Sequence, residues 1–164
     1  METKNKTLFT KDLENKKIVV EREFSAPVES VWKAWTDSDL LDQWWAPKPW
    51  RAETKSMDFR TGGFWLYAMK GPDNEVHWAR VDYKSIEKLK NFQAADYFCD
   101  ENGNKNDELP NMNWDNQFSK TADGTKVVVN ISFKSEADIR AILDMGFKEG
   151  FEMALGNLDE LLEK

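Results

Sequence analysis

The fold is decided by the C-terminal stretch SEADIRAILDMGFKEGFEMALGNLDELLEK, residues 135–164. Ser135 is a suitable N-cap, and Glu136 and Asp138 place negative charge at a helix N-terminus, where the helix dipole favours it. Apolar residues then recur at the three-and-four spacing of a buried helical face: Ile139, Ile142, Leu143, Phe147, Phe151, Ala154, Leu155, Leu158, Leu161 and Leu162. The pattern predicts one helix over residues 136–163, about 40 Å long, that crosses the whole domain.

Two glycines, Gly146 and Gly150, interrupt this apolar face. A glycine inside a helix costs about 0.8–1 kcal/mol relative to alanine, so the pair needs a compensating reason. Because they are four residues apart, the two positions lie on one face of the helix. Either a neighbouring strand or helix packs closely against them, or their missing side chains leave room for a ligand between helix and sheet. On the residues alone, we favour close packing.

Composition narrows the partners and the compartment that we expect. The chain has 23 Lys and Arg against 30 Asp and Glu, and this net charge of -7 disfavours nucleic acid and anionic membranes. The single cysteine, Cys99, cannot form an internal disulfide and belongs to no zinc-ligand pattern, so a reducing compartment is the default. No apolar stretch resembles a signal peptide or a membrane span. We therefore expect a cytoplasmic protein, and we favour a monomer.

The length of 164 residues predicts one domain. Residues 1–16 are polar and charged and are expected to form a flexible tail, which leaves 17–164 as the folded domain. Arg22 falls on the dry side of the first predicted strand. We favour a position near the strand end, where its charged head reaches solvent, over an internal ion pair.

Between the tail and the C-terminal helix, periodicity predicts two short helices and a run of strands. A strand at 18–24 alternates apolar and polar residues, and Pro27 then starts a helix. Asp37 or Ser38 starts a second helix, which ends before the prolines at 47 and 49. Further strands are predicted at 50–59, 64–69, 76–86, 92–99, 112–118 and 127–133. Consecutive strands joined by turns indicate antiparallel pairing and an α+β fold, in which a curved sheet wraps around the C-terminal helix.

A series of motifs, taken together with their order and spacing, resembles the family of homologues of the heat-shock-protein-90 ATPase activator. The motifs are Arg22-Glu23-Phe24-Ser25-Ala26-Pro27, Val31-Trp32-Lys33-Ala34-Trp35-Thr36-Asp37, Trp44-Trp45, Met57-Asp58-Phe59-Arg60-Thr61-Gly62-Gly63, Gly71-Pro72-Asp73, Asp100-Glu101-Asn102-Gly103-Asn104 and Met145-Gly146-Phe147-Lys148-Glu149-Gly150-Phe151. The resemblance spans residues 19–162, and the family belongs to the START-like, or SRPBCC, superfamily. The chain departs from the family pattern at Thr61, at Asn74, and at Arg80 and Val81.

The resemblance implies the helix-grip fold, in which a curved antiparallel sheet surrounds a long C-terminal helix and leaves a hydrophobic cavity between them. It therefore favours a cavity over close packing as the reason for Gly146 and Gly150. The residues expected to line this cavity are mostly aromatic: Trp65, Tyr67, Met69, Tyr83, Phe133, Gly146, Phe147, Gly150 and Phe151. For the large side chains of this set, a place in the core and a place in a pocket are equally favoured.

Three ionisable residues are candidate polar groups of such a cavity: His77, Asp96 and Glu149. The alternation around Asp96 is ambiguous, and we favour an outward, solvated carboxylate; for Glu149 we favour the solvated face of the helix. His77 is expected to be a strand residue near a turn, and Cys99 a small apolar core residue, rather than catalytic groups. The sequence contains no dinucleotide fingerprint, P-loop or G-x-S-x-G motif. We therefore assign no catalytic residue, metal or cofactor.

Three functions are compatible with these features of the sequence. The leading hypothesis is a START-like domain that binds a small hydrophobic ligand. The second, suggested by the name of the family, is a co-chaperone-like protein that binds a heat-shock ATPase. It ranks lower because chaperone-activating members carry a further N-terminal domain that this sequence does not show. The third is a cyclase or hydrolase that uses a cavity carboxylate, as some relatives in the superfamily do.

Overall fold

The computed structural model describes residues 7–163. Within them the elements follow in this order: β1 (Leu8–Asp12), β2 (Lys17–Phe24), α1 (Val28–Thr36), α2 (Ser38–Trp44), β3 (Arg51–Asp58), β4 (Phe64–Lys70), β5 (Val76–Glu87), β6 (Asn91–Cys99), β7 (Met112–Lys120), β8 (Thr125–Ser132), α3 (Glu136–Asp144) and α4 (Phe147–Leu162). The strands form one sheet in the order β1-β2-β8-β7-β6-β5-β4-β3, and every neighbouring pair is antiparallel.

Two irregularities in strand pairing bend the sheet. The register shifts between Thr54 and Ser56 where β3 pairs with β4, and between Tyr83 and Ser85 where β5 pairs with β6. Such bulges bend and twist their strands. The inner face of the curved sheet packs against the helices, including α4, through large apolar side chains. This arrangement is the helix-grip fold, and the fold class predicted from the sequence is confirmed.

The C-terminal stretch forms two helices, so the single helix predicted for residues 136–163 is wrong. α3 begins as predicted, since the Ser135 hydroxyl accepts the backbone N–H of Asp138 at 3.2 Å. It ends at Asp144, and Gly146 adopts a left-handed φ of 90° before α4 begins. Glycine reaches this conformation without steric cost and often follows the last turn of a helix. α4 has 16 residues and is about 24 Å long.

Part of the expected flexible tail is a strand. β1 pairs with the edge of β2, with Leu8 opposite Glu21 and Asp12 opposite Lys17. Backbone hydrogen bonds hold this short segment in place, and the mostly polar composition of residues 1–16 does not predict them. The flexible-tail prediction is therefore wrong for Leu8–Asp12, while residues 1–6 lie outside the described part of the chain.

Arg22 lies inside the protein in an ion pair, contrary to the prediction that its head reaches solvent. Its guanidinium bonds to the Asp159 carboxylate of α4, and its Nη1 donates to the Thr7 hydroxyl at 2.6 Å. The two charged side chains are only 9% and 18% exposed. Burial raises the pKa of Asp159, and the Arg22 charge opposes that rise. The pair joins β2 to the last helix.

Aromatic rings fill much of the core between the sheet and the first two helices. The ring centroids of Trp32 and Phe118 lie 5.0 Å apart, and those of Trp35 and Trp44 are also separated by 5.0 Å. Trp44 is fully buried, and its indole N–H donates to the Ala34 carbonyl at 2.9 Å. These contacts fix α1 against β7 and α2 against α1.

Asn157 fixes the end of α2 to α4. Its buried side-chain amide donates to the backbone carbonyls of Trp44 at 3.4 Å and Ala46 at 3.0 Å. The last carbonyls of a helix have no partner within the helix, so these bonds satisfy groups that would otherwise be unpaired. The position of the linker that follows α2 is set in this way.

Candidate functional site

A cavity of about 540 Å³ lies between the sheet and the C-terminal helices. Four neighbouring strands, β4 to β7, line it with Tyr67, Met69, His77, Ala79, Asp96, Phe98, Met112 and Trp114. These positions alternate along their strands, so their side chains point to one face of the sheet. The volume falls in the usual range of small-molecule pockets, about 300–1,000 Å³.

The other walls come from the helices and from two connecting segments. α3, α4 and the turn between them supply Ile142, Met145, Gly146, Phe147, Gly150 and Phe151; the linker after α2 supplies Trp45, Pro47 and Trp50; the loop before β7 supplies Leu109. Met145 is 54% exposed, and His77 is also exposed, so these residues lie where the cavity meets solvent. The lining is mostly apolar.

The structure brings together most of the residues proposed as cavity lining. Tyr67, Met69, Gly146, Phe147, Gly150 and Phe151 border the cavity. Trp65 and Tyr83 border a smaller recess behind it, and Phe133 borders neither space and is buried in the core. The aromatic set therefore divides between core and cavity.

The two glycines that interrupt the helical pattern have different roles. A Cβ built on Gly146 would meet no atom within 4 Å, so this glycine is needed for its left-handed backbone. A Cβ on Gly150 would make one ordinary contact, with Pro47 Cγ at 3.5 Å. Neither glycine is packed closely against a neighbouring element, so the close-packing interpretation is wrong. Both border the cavity.

Asp96 points into the molecule, contrary to the outward position favoured from the sequence. It shares the inner face of β6 with Phe92 and Ala94 and is 8% exposed. Burial raises the pKa of Asp96 to about 7. The indole N–H of Trp114, beside the carboxyl, opposes this rise but does not reach hydrogen-bond geometry. Near neutral pH the carboxyl is therefore divided between its protonated and ionised forms.

Tyr67 offers a second polar group deep in the cavity. Its hydroxyl oxygen accepts the indole N–H of Trp45 at 2.9 Å, which leaves the phenolic O–H free to donate. Burial, and after it the Asp96 carboxyl, raises the pKa of Tyr67, so the hydroxyl stays protonated at neutral pH. We call Trp45, Tyr67, Asp96 and Trp114 the cavity floor.

A recess of about 30 Å³ lies behind the floor and shares Trp45, Asp96 and Trp114 with the main cavity. Trp35 and Asn116 also line it. Trp35 Nε1, Trp114 Nε1 and Asn116 Oδ1 are buried without a hydrogen-bond partner among the described residues. The recess is large enough for one water-sized group. The floor is therefore the polar part of a largely apolar site.

The other two candidate polar residues lie farther out. His77 is at the rim, where its ring stacks on Trp50 with centroids 5.6 Å apart. Glu149 is exposed and lies outside the cavity lining, on the solvated face favoured for it. Of the three ionisable candidates, Asp96 alone lies deep in the cavity.

The described residues outside the cavity floor offer neither a reactive thiol nor a cluster of metal ligands. Burial raises the pKa of the Cys99 thiol to about 11, so it is protonated and weakly nucleophilic at neutral pH. Among residues 7–163, no three His, Cys, Asp or Glu side chains lie close enough together to hold a metal ion. None of the helices described is long and apolar enough to cross a bilayer.

Comparison with known proteins identifies the family. Residues 25–163 match the model of the family described as Activator of Hsp90 ATPase homolog 1-like protein. The chain belongs to this family. The resemblance inferred from the motifs is confirmed, and with it the START-like, or SRPBCC, membership. At the level of this activator-like family, the fold supports a domain that binds hydrophobic ligands. No curated protein matches the chain.

Solved structures similar to this activator-like protein cover nearly all of it. Protein Ms6760 from Mycobacterium smegmatis is 29% identical, with a TM-score of 0.88 over 96% of this chain and 97% of that one. A protein from Arthrobacter aurescens, solved by NMR, is 29% identical, with a TM-score of 0.90 over 95% and 91%. A protein from Staphylococcus epidermidis is 26% identical, with a TM-score of 0.83 over 94% and 93%. All three share the fold of this chain along almost its whole length.

Sequence reasoning missed several lining residues of this activator-like protein: Trp45, Pro47, Trp50, Ala79, Phe98, Leu109, Met112, Trp114, Ile142 and Met145. Strand alternation carried part of the missing signal, since Ala79 shares a face with His77 and Met112 shares one with Trp114. The spacing of the second predicted helix places Trp45 on its inner side but does not indicate that this side borders a cavity. Trp45 reaches the cavity because α4 fixes the end of α2.

Proposed function

We propose that this activator-like protein binds an apolar small molecule in the cavity between the sheet and the C-terminal helices. The observation that carries the proposal is a cavity of about 540 Å³ with a mostly aromatic and aliphatic lining. Pockets of this size and character suit ligands that bury most of their surface and are oriented by a few polar groups. Here those groups belong to Asp96, Tyr67 and, at the rim, His77.

The aromatic wall supports the proposal because its rings already pack on one another. The ring centroids of Trp45 and Trp114 are 5.8 Å apart, and Phe151 lies 6.0 Å from Trp45 and 5.6 Å from Trp114. Little side-chain freedom is then lost when a ligand enters, so more of the burial energy, about 25 cal/mol per Å² of apolar surface, becomes affinity.

Titration with a neutral aromatic probe, N-phenyl-1-naphthylamine, tests the proposal. We expect a saturable rise in probe fluorescence with one site per chain, together with a rise in melting temperature. Binding to the native state alone stabilises it, by about 2.7 kcal/mol when the free probe is at 100 times its Kd. If neither fluorescence nor melting temperature changes, the cavity is not a binding site for apolar molecules.

A pair of alanine-to-leucine variants locates the binding. Ala79 is buried and borders the cavity, so Ala79→Leu fills part of it; Ala137 is exposed on α3, so Ala137→Leu makes the same chemical change elsewhere. We expect Ala79→Leu to weaken probe binding at least tenfold, and Ala137→Leu to bind as the unmodified protein does. Equal binding by both variants would place the probe outside the cavity.

The other hypotheses have less support. The co-chaperone hypothesis rests on the description of the family, and no contact among the described residues favours it. The enzyme hypothesis requires an acid or base in the cavity, for which Asp96 is the candidate. A cytoplasmic location and a monomeric state stay predictions.

A further inference from the structure

Asp96 is a buried acid that lacks a partner. It is 8% exposed, and burial together with the nearby Trp114 indole accounts for its altered pKa, with no contribution from a cationic side chain in residues 7–163. An ionised carboxylate in such surroundings is unfavourable unless it is paired. The floor therefore contains a carboxylate, that of Asp96, which no cationic side chain among the described residues neutralises.

The surroundings of Asp96 suit a cation. The described residues that border the cavity include no lysine or arginine, and His77 lies at the rim, away from the floor. They do include the rings of Trp45, Tyr67 and Trp114 in the floor and that of Phe151 in the adjoining wall. Aromatic ring faces attract ammonium groups, most strongly where water is excluded.

We propose that the ligand of this cavity is an apolar molecule that carries a basic amino group, and that Asp96 is the counter-ion for its ammonium. This inference deepens the proposed function and rests on it. The apolar part of the ligand fills the space between Met69, Phe147 and Phe151, and the ammonium lies at the floor. The Tyr67 hydroxyl remains available for a neutral acceptor on the same ligand.

Other polar groups fit the floor less well. A carboxylate ligand would meet the Asp96 carboxylate without a cation between them, which places two like charges in a low-dielectric site. A neutral hydroxyl can bond to Tyr67 but leaves an ionised Asp96 unpaired. The net charge of -7 also attracts a cationic ligand and repels an anionic one.

Three probes that share a naphthyl group and differ in the polar end test the proposal: 2-(1-naphthyl)ethylamine, 2-(1-naphthyl)ethanol and 1-naphthylacetic acid. Calorimetric titration at pH 8, where both Asp96 and the alkylammonium are charged, should rank the amine first, the alcohol second and the acid last. We expect the amine to bind about tenfold or more tightly than the alcohol, as a charge-assisted contact in a desolvated site requires. Equal affinities, or a preference for the alcohol or the acid, would overturn the assignment.

The dependence of this preference on pH and on Asp96 identifies the group responsible. The other ionisable side chains that line the same cavity or recess as Asp96 are Tyr67 on β4 and His77 and Tyr83 on β5. The described lining residues of α3, α4 and the linker after α2 include none. Protonation of Asp96 at pH 6 should shrink the preference for the amine, and Asp96→Asn should bring the amine to the affinity of the alcohol measured on the same variant. If the pH dependence persists in Asp96→Asn, a different group causes it and the assignment fails.

The outcomes separate this inference from the proposed function. If all three naphthyl probes bind equally and Ala79→Leu weakens each of them, the apolar cavity is real and Asp96 is not its counter-ion. If none of the three binds, this inference falls, and it takes the proposed function with it only if N-phenyl-1-naphthylamine also fails to bind. The comparison of probes on the unmodified protein needs no variant, so a folding defect in Asp96→Asn would leave the result decisive.

Discussion

The indole N–H of Trp45 donates a hydrogen bond of 2.9 Å to the hydroxyl of Tyr67. The bond joins the linker after α2 to β4, and Tyr67 in turn stacks on Trp65 with ring centroids 4.0 Å apart. Two rings of the cavity floor are therefore held by a directional contact as well as by packing.

Tyr67→Phe should lower the free energy of unfolding by about 1 kcal/mol, because it removes the acceptor of a half-buried indole N–H while keeping the ring. Urea denaturation of Tyr67→Phe, Trp45→Phe and the double variant measures the effect and the coupling between the two residues. We expect a coupling energy of about 0.5–1.5 kcal/mol. Strictly additive effects would mean that the bond does not contribute to stability.

Asp96 should make the protein less stable as pH rises. Its native pKa of about 7 lies above the ordinary value of 3.8, so between these limits the native state binds more protons than the unfolded state. The free energy of unfolding contributed by this group therefore falls as pH rises from about 4 to 7. Asp96→Asn should remove this slope. At pH 8 the free energy of unfolding of the variant should therefore exceed that of the unmodified protein, by at most on the order of 4 kcal/mol.

Asp100 provides a control of opposite sign for that experiment. Hydrogen bonds from Asn104, backbone first, lower the pKa of the exposed Asp100 carboxyl. Its stabilising effect is present at neutral pH and is lost as pH falls through the acidic range. Asp100→Asn should therefore lose stability relative to the unmodified protein at neutral pH and approach it in acid. A common direction for both variants would contradict the assignment of Asp96 as a buried acid.

Two glycine-to-alanine variants should change stability in opposite directions. Gly146 has a left-handed φ of 90°, which costs a residue with a Cβ about 1–2 kcal/mol, so Gly146→Ala should destabilise by about that amount. Gly156 lies inside α4, and a Cβ there would meet no atom within 4 Å. Gly156→Ala should therefore stabilise by up to about 1 kcal/mol. Thermal or urea denaturation of both variants checks the signs, and a gain for Gly146→Ala would contradict the helix break.

The buried Arg22–Asp159 ion pair should contribute far more to the free energy of unfolding than the exposed Lys48–Glu160 pair. Asp159→Ala leaves a buried guanidinium without its carboxylate and should cost about 3–5 kcal/mol. Glu160→Ala breaks a 3.3 Å pair with Lys48 whose side chains are 65% and 68% exposed, and it should cost less than about 1 kcal/mol. Urea denaturation compares the two. Similar losses would mean that the internal pair is solvated in solution.

The sequence predicted the sheet well because most strands carry regular alternation bounded by turn residues. The prediction was wrong for the C-terminal stretch, where a helical apolar spacing continues across a break in the helical backbone. The apolar spacing of the C-terminal stretch runs unbroken past Gly146, so periodicity predicts one helix although the backbone at that residue is left-handed. β1 was missed for a different reason: Leu8 and Phe9 are its two apolar residues in an otherwise polar and charged N-terminal segment, and pairing with the edge of β2 orders the strand.

The candidate site was only partly predictable. Counting along β6 from Phe92 and Ala94 places Asp96 on the inner face, so the strand alone contained this information, and general expectation about carboxylates outweighed it. The position of Trp45 is different, because it depends on contacts between α2 and α4 that are distant in sequence. Local patterns carry no information about such contacts.

The two bonds from Asn157 to the carbonyls of Trp44 and Ala46 make the last helix and the linker after α2 one unit. Enlarging or narrowing the cavity from that side would disturb both at once. The sheet side is different, since Ala79 and Met69 project from regular strands whose backbones are paired on either side. A redesign of the cavity for a larger or smaller ligand should therefore change the strand positions and leave the helical wall unaltered.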